Sequence, residues 1–224
     1  MDWQAIGLTV RLAVIVCVTL LVIGLPIAYW LAFSRWRWKF LVEAVVALPL
    51  VLPPTVLGFY VLMAIGLRSP IGRAWERWTG HGLAFTFEGL VLASLLYSLH
   101  HEGQPIASAF SQVDASLVEA SSLLGSSRWR TFVRIIVPLS IEGVITGIVL
   151  SFAHTLGEFG VVLMVGGNLP GVTRTVSIAI YDQVQGFQYG AANATALLLL
   201  LFSFAVLSAV YALTRKPWSV TRIS

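Results

Sequence analysis

The sequence predicts an all-α protein that crosses a membrane several times, and three observations predict it. Of its 224 residues, 58% are hydrophobic and 11% charged, where soluble domains carry roughly 25% charged residues. The apolar residues collect in runs near the roughly 20 residues that a span requires. Within hydrocarbon each run must satisfy its own backbone polar groups, which separate segments achieve only as helices. A chain of this length holds one membrane bundle, so a single domain over 1–224 is expected, with no repeat or low-complexity tract dividing it.

Five spans are counted. The first covers 5–33. Its leading MDWQAIGLTV lacks a basic start and its apolar run exceeds a signal-peptide core, so it is read as a retained span. Cys17, the single cysteine, lies inside that run as a small hydrophobe, without a disulfide framework or zinc-type spacing. The second span, 41–67, is interrupted by Pro49, Pro53 and Pro54, each of which removes a backbone donor and opposes a continuous helix. A break at mid-membrane is tolerated only where protein buries it or where it lines a cavity. It is therefore either a structural kink or the wall of a transport path, faced by Thr55 and the carbonyls freed just before it.

The third span, 84–99, is short and continues into the polar SLHHEGQPIASAF. His100, His101 and Glu102 suggest a metal site, yet neighbours on a helix point about 100° apart and do not close on one ion. A polar helix end at the inner interface is expected instead. In the fourth span, 142–165, Ser151, His154, Thr155 and Glu158 recur at intervals of three and four and form a polar stripe. Ionisable residues at such depth face the bundle interior. Glu158 either holds structure, pairing with His154 or with backbone donors beside Gly157 and Gly160, or joins His154 as a metal or proton-relay pair that lacks a third ligand. The fifth span covers 194–213.

Orientation follows from the basic residues. With the amino terminus outside, the inner segments hold Arg35, Arg37, Lys39, Arg128, Arg130, Arg134, Arg215, Lys216 and Arg222, and the outer ones Arg68, Arg73, Arg77 and Arg174. Nine against four obeys the positive-inside rule, and the carboxyl terminus is then cytoplasmic. Arg11, near the outer end of the first span, can snorkel. The net charge of +4 thus reports topology and gives no reason to expect nucleic acid.

This placement makes 111–140 the longest cytoplasmic loop. Val113, Leu117, Ala120 and Leu124 stand at near-helical spacing, and Gly125 is placed to end that helix. A second helix, SRWRTFVRIIVPL, runs to Pro138. Two short helices at an angle make a firm knob that can enter a groove on a partner protein. A merely solvated basic loop would explain the arginines but not the pattern.

The order Glu119-Ala120-Ser121, Gly125, Ile135-Ile136-Val137-Pro138 resembles the signature E-A-A-x(3)-G-x(9)-I-x-L-P of permease subunits of binding-protein-dependent ABC importers, with Ser121 for the second alanine and Val137 for leucine. The resemblance implies a type I ABC importer transmembrane domain over roughly 8–211, with about five to six transmembrane helices. It also implies that Glu119, Ala120, Ser121, Gly125, Arg128, Ile135 and Pro138 couple the chain to ATP-binding subunits. LPLVLPPTVLGFYVL, LGEFGVVLMVGGNLPGVTRTVSIAIY and the five-span layout are similar to molybdate permeases, close relatives of those for tungstate and sulfate. The Pro170–Thr175 run looks more like the molybdate branch. The segment after the third span departs from the family, which has an apolar proline-containing run there.

What the family implies is a homodimer in the cell (inner) membrane, two ATPase subunits below, and a periplasmic or extracellular oxyanion-binding protein above, with no cofactor. Pro53, Pro54, Thr55, Ser151, His154 and Glu158 would line the path. The outer loop 166–190 is long and polar enough to meet the binding protein. It is expected to dock through Thr173, Arg174 and Thr175, Arg174 either pairing with an acidic patch on that protein or attracting the incoming anion, with 176–181 as a short helix. The chain carries no phosphate-binding Gly-rich loop ending in Lys-Ser/Thr and no His-Glu-x-x-His, so it is expected not to be an enzyme. A passive anion channel is the rival class. A dianion entering a cell with a negative interior faces roughly 4.6 kcal/mol per 100 mV, at about 2.3 per charge. Accumulating it therefore needs an energy source.

Overall fold

A computed structural model describes residues 2–213; Arg215, Lys216 and Arg222, counted above as inner charges, lie outside them. The first element, α1 (Trp3–Phe33), is 31 residues long. At 1.5 Å per residue that is about 46 Å, ample for a hydrocarbon core of roughly 30 Å. Asp2 caps it by accepting from the Ala5 N–H at 3.0 Å, and Pro26 sits inside without breaking it.

α2 (Lys39–Val51) and α3 (Pro54–Ile65) divide the expected second span and are turned by 115° at the break between them. Pro49 does not contribute to this break: it lies buried within α2. The chain breaks at Leu52 and Pro53, which are extended with ψ of 138° and 134°. Each of those two residues precedes a proline and is pushed out of the α region, whereas Pro49 imposes that restriction only once. Pro54 then starts α3 at the position where a missing N–H costs nothing.

α4 (Pro70–Thr79) is an additional short helix that the span count passed over. Ser69 caps its start and Gly80, at φ +82°, ends it. α5 (Phe87–Ser111) runs unbroken for 25 residues through His100, His101, Glu102 and Pro105. The expected helix end at 99–102 is therefore corrected: these residues are mid-helix. Their polar side chains survive there because α5 is central, with α1 on one side and α9 (Ile141–Gly157) on another.

The expected continuous span at 142–165 is corrected too. α9 ends at Gly157, Glu158 is extended with ψ 132°, and α10 (Gly160–Gly166) starts afresh. α10 then packs on α3, α11 (Val176–Gln185) folds back over the core, and α12 (Tyr189–Leu213) closes the bundle. By length and apolarity two helices qualify outright as spans, and up to four if each bent pair counts as one. α5 is long enough, but its polar middle keeps it from qualifying by composition. No strand occurs among the described residues.

Close packing rests on small residues, as it does where lipid supplies no hydrophobic drive between helices. A Cβ on Gly147 would stand 2.7 Å from the Glu102 carbonyl oxygen, and one on Gly143 would stand 2.9 Å from that of Pro105. A Cβ on Gly58 would meet Met164 at 2.7 Å. The backbones of α5 and α9, and of α3 and α10, approach that closely.

Candidate functional site

The knob over 111–140 forms as its residues direct. α6 (Ala115–Leu123) is capped by Asp114, which accepts from the Ser116 N–H at 2.8 Å; that hydrogen bond holds the Asp114 carboxyl below its ordinary range. Leu124 ends the helix and Gly125 takes φ +76°. The Ser126 N–H then donates to the Ser121 carbonyl at 3.1 Å, the long bond of a glycine-terminated helix. Ser127 caps α7 (Arg128–Thr131), which passes through a π-helical turn (Phe132–Ile136) into α8 (Val137–Leu139). A 2.8 Å hydrogen bond between the buried hydroxyls of Ser121 and Thr131 holds the two arms at their angle. Serine in place of the family's second alanine thus has a structural use.

What the knob presents is apolar. Leu123, Leu124 and Trp129 are 89%, 86% and 72% exposed, with Leu117 and Val133 beside them. Val118, Phe132 and Ile136 anchor it instead, against Ala28, Ile106 and Phe110. Glu119, Ala120, Gly125 and Arg128 are exposed, Ile135 is half-buried and Pro138 is exposed. The loop therefore sets its apolar residues outward on a rigid, internally bonded frame.

Gly125 terminates the helix rather than filling a seam, because nothing lies within 4 Å of where its Cβ would be. Gly125→Val is expected to cost the loop about 1–2 kcal/mol, as a β-branched residue resists the left-handed conformation. Gly125→Asn should cost far less. Limited proteolysis of the knob in the two variants checks this.

The interior brings together two breaks that are a hundred residues apart. A Cβ on Gly160 would stand 2.7 Å from Pro54 Cβ and 3.5 Å from the Thr55 nitrogen. The starts of α10 and α3, each just past a break, thus meet; Pro53 and Thr55 are exposed, and Glu158 is 4% exposed. Of the expected path residues, Ser151 and Thr155 lie buried in the seam between α9 and α5. Ser98 of α5 bonds His154 Nδ1 at 3.0 Å and Thr155 Oγ1 at 3.1 Å.

His154 does not pair with Glu158 as expected. It stacks on His101 of α5 with ring centroids 3.9 Å apart, and on Tyr97 at 4.5 Å. The pairing with backbone donors is corrected as well, since both Glu158 carboxylate oxygens lack a hydrogen-bond partner. Among the described residues no cluster of three metal-ligating side chains exists. Sequence reading missed Ser94, Ser98, His101 and Glu102 as partners of this column. Their spacing on α5 repeats every four residues at 94, 98 and 102, a signal that was present but attributed to a helix end.

In the loop 166–190 two of the expected docking residues, Thr173 and Thr175, are buried, at 0% and 1% exposure, and not on the surface: Thr173 Oγ1 donates to the Gly166 carbonyl at 2.7 Å and accepts from the Leu169 N–H at 3.1 Å. Arg174 is already engaged. Its Nε donates to Asn168 Oδ1 at 2.6 Å, and its Nη atoms lie 3.2 Å from Asp182 and 3.9 Å from Asp2. These residues shape the loop, while Leu169 and Val172 are 44% and 45% exposed and face outward. Arg174→Ala should lower thermal stability by about 1 kcal/mol, most clearly at low salt, because it leaves two carboxylates without their cation. Melting curves at two ionic strengths read it.

Residues 24–219 match the family model described as binding-protein-dependent transport system inner membrane component. The molybdenum transport system permease protein of Azotobacter vinelandii is 51% identical over 215 residues, 96% of this chain and 95% of that protein. The protein of the same name in Escherichia coli K12 is 38% identical over 86% of this chain and 85% of its own. The crystal structure of a bacterial ABC transporter involved in the import of the acidic polysaccharide alginate aligns with a TM-score of 0.76 at 16% identity, over 95% of this chain and 78% of that one. That last likeness is one of fold.

Proposed function

The chain belongs to the family of binding-protein-dependent transport system inner membrane components, and from that premise we propose that it is the permease subunit of an ATP-driven molybdate importer. It is a multi-pass inner-membrane protein. The substrate assignment is carried by the 51% identity to a molybdenum transport permease along 96% of the chain. Permeation of tungstate or sulfate is the neighbouring reading.

In this reading two copies of the chain enclose the path at a two-fold axis, with the amino terminus outside and the whole of 1–224 acting as one transmembrane unit. ATP hydrolysis belongs to separate subunits seated on the knob, where Leu123, Leu124 and Trp129 enter the ATPase groove and Glu119 and Arg128 rim it. A periplasmic or extracellular binding protein meets the outer face through the exposed Leu169 and Val172 rather than through the buried threonines. Closure of the ATPases shifts the knobs and rocks the bundle between inward-open and outward-open states. The breaks at Pro53–Thr55 and Glu158 supply a place where irregular backbone lines a path instead of facing lipid. The chain itself catalyses nothing in this scheme.

The test is uptake of labelled molybdate into proteoliposomes that hold the permease, its ATPase and its binding protein, with sulfate or tungstate as competitor. Uptake that withstands excess sulfate is expected. Sulfate uptake equal to that of molybdate would overturn the substrate assignment while leaving the importer class intact.

A further inference from the structure

Glu158 is the one group at the two breaks whose chemistry runs against the traffic expected there. It is 4% exposed and neither carboxylate oxygen has a hydrogen-bond partner. It makes no ion pair with any lysine or arginine among the described residues. The Ser94 hydroxyl of α5 faces it without closing a hydrogen bond.

The titratable groups around it are few. Tyr97 of α5 faces it. His154 of α9 lies one turn back, committed to Ser98 and stacked on His101. From α11, Tyr181 reaches only the adjoining Phe159, with ring centroids 5.1 Å apart. α3 and α10 bring Pro54, Thr55 and Gly160, none of them charged. An ionised carboxylate buried without partner or cation is strongly disfavoured, and it would repel an approaching dianion. A protonated one does neither, and its O–H is a donor that an oxyanion oxygen accepts.

We propose that Glu158 works in its protonated form, standing where the two breaks meet as a neutral hydrogen-bond donor to the oxyanion, and that its ionisation shuts the route to a dianion. The proposal rests on the oxyanion-importer reading above. It makes Glu158 a charge gate: the family's cargo passes only a carboxyl that carries its proton.

The experiment follows molybdate uptake by the complete importer in proteoliposomes across pH, for the wild type and for E158Q. Each profile is scaled to its own value on the acid side. Wild-type uptake is expected to fall as pH rises, by about tenfold per unit once ionisation passes its midpoint. The E158Q profile should stay flat over that limb, since an amide keeps the donor and cannot ionise. Titration of Tyr97, His101, Glu102 or His154, or of the partner subunits, would appear in both proteins alike. Parallel profiles would therefore overturn the proposal.

A second arm needs only the wild type. Dicyclohexylcarbodiimide, which is apolar and adds to protonated carboxyls, should modify Glu158 at neutral pH, as read by peptide mass spectrometry, and the yield should fall with pH along the uptake curve. Uptake that falls while the adduct persists, or no adduct at Glu158, overturns the gate even if E158Q fails to assemble. Absence of molybdate uptake at every pH would instead sink the oxyanion reading, and the carbodiimide arm would still report whether Glu158 holds its proton.

Discussion

Gly147→Leu is expected to prevent α5 and α9 from closing, with a loss of about 3 kcal/mol or a failure to assemble. The position has no slack: even a bare Cβ would stand 2.7 Å from the Glu102 carbonyl oxygen and 3.1 Å from Ile106 Cγ1. The first of those neighbours is backbone and cannot rotate away. Separating the helices would also break the bonds from Ser98 to His154 and Thr155 and unstack His154 from His101. For a chain of this size the predicted loss lowers the melting temperature by about 6–12 °C. Gly7→Leu is the control, since Gly7 is exposed with nothing within 4 Å of its would-be Cβ. Melting of the two variants in one detergent compares them directly. Equal melting temperatures would mean that the seam is looser than its geometry implies.

The second large effect is expected from Leu123→Asp combined with Leu124→Asp. Both side chains project from the knob at more than four-fifths exposure, so their loss removes no packing within the chain, and substitutions of that kind stay within about 0.5 kcal/mol of wild-type stability. In a docked complex they would be buried anchors, and charged groups there would be desolvated without a partner. Anchors at an interface centre are worth about 2 kcal/mol each, so the pair should weaken ATPase association by roughly a thousandfold. Co-purification with the ATPase is predicted to vanish while the melting temperature of the permease alone holds. A double variant that still co-purifies would place the docking surface elsewhere.

The parts of this structure that were legible in the sequence are those decided by neighbours along the chain. Two residues that each precede a proline break the second span at Leu52–Pro53, and Gly125 ends α6, because these outcomes depend on local backbone sterics. Pro49 was assigned the same effect from the same chemistry, yet it is absorbed into α2. The break at Glu158 carries no proline and was not legible. It coincides with the packing of Gly160 on Pro54, a contact between residues far apart in sequence.

Partners brought in by the fold also explain the loop 166–190. Arg174 was expected to dock because nothing in the sequence shows that Asp2, far along the chain, and Asp182, on the helix that follows, fold onto it, and Thr175 looked exposed although the neighbouring Val176 N–H is fixed by Thr9 of α1 at 2.8 Å. The family signature falls on the segment where the two short helices α6 and α7 form, and the structure adds which of its residues hold the frame and which face outward. The column of Ser94, Ser98 and Glu102 was hidden by a different error: a polar run read as a helix end was the middle of one.

The central claim is that this chain is the path of an importer driven by ATP, not a passive anion channel. Sealed proteoliposomes containing the permease, its ATPase and the binding protein test that claim most directly, when molybdate is supplied at lower concentration on the binding-protein side than on the other. Uptake against that gradient, present with ATP available to the ATPase and absent without it or with the Leu123 and Leu124 double variant, is the predicted result. Molybdate flux that only follows its gradient and is equal with and without ATP would contradict the account.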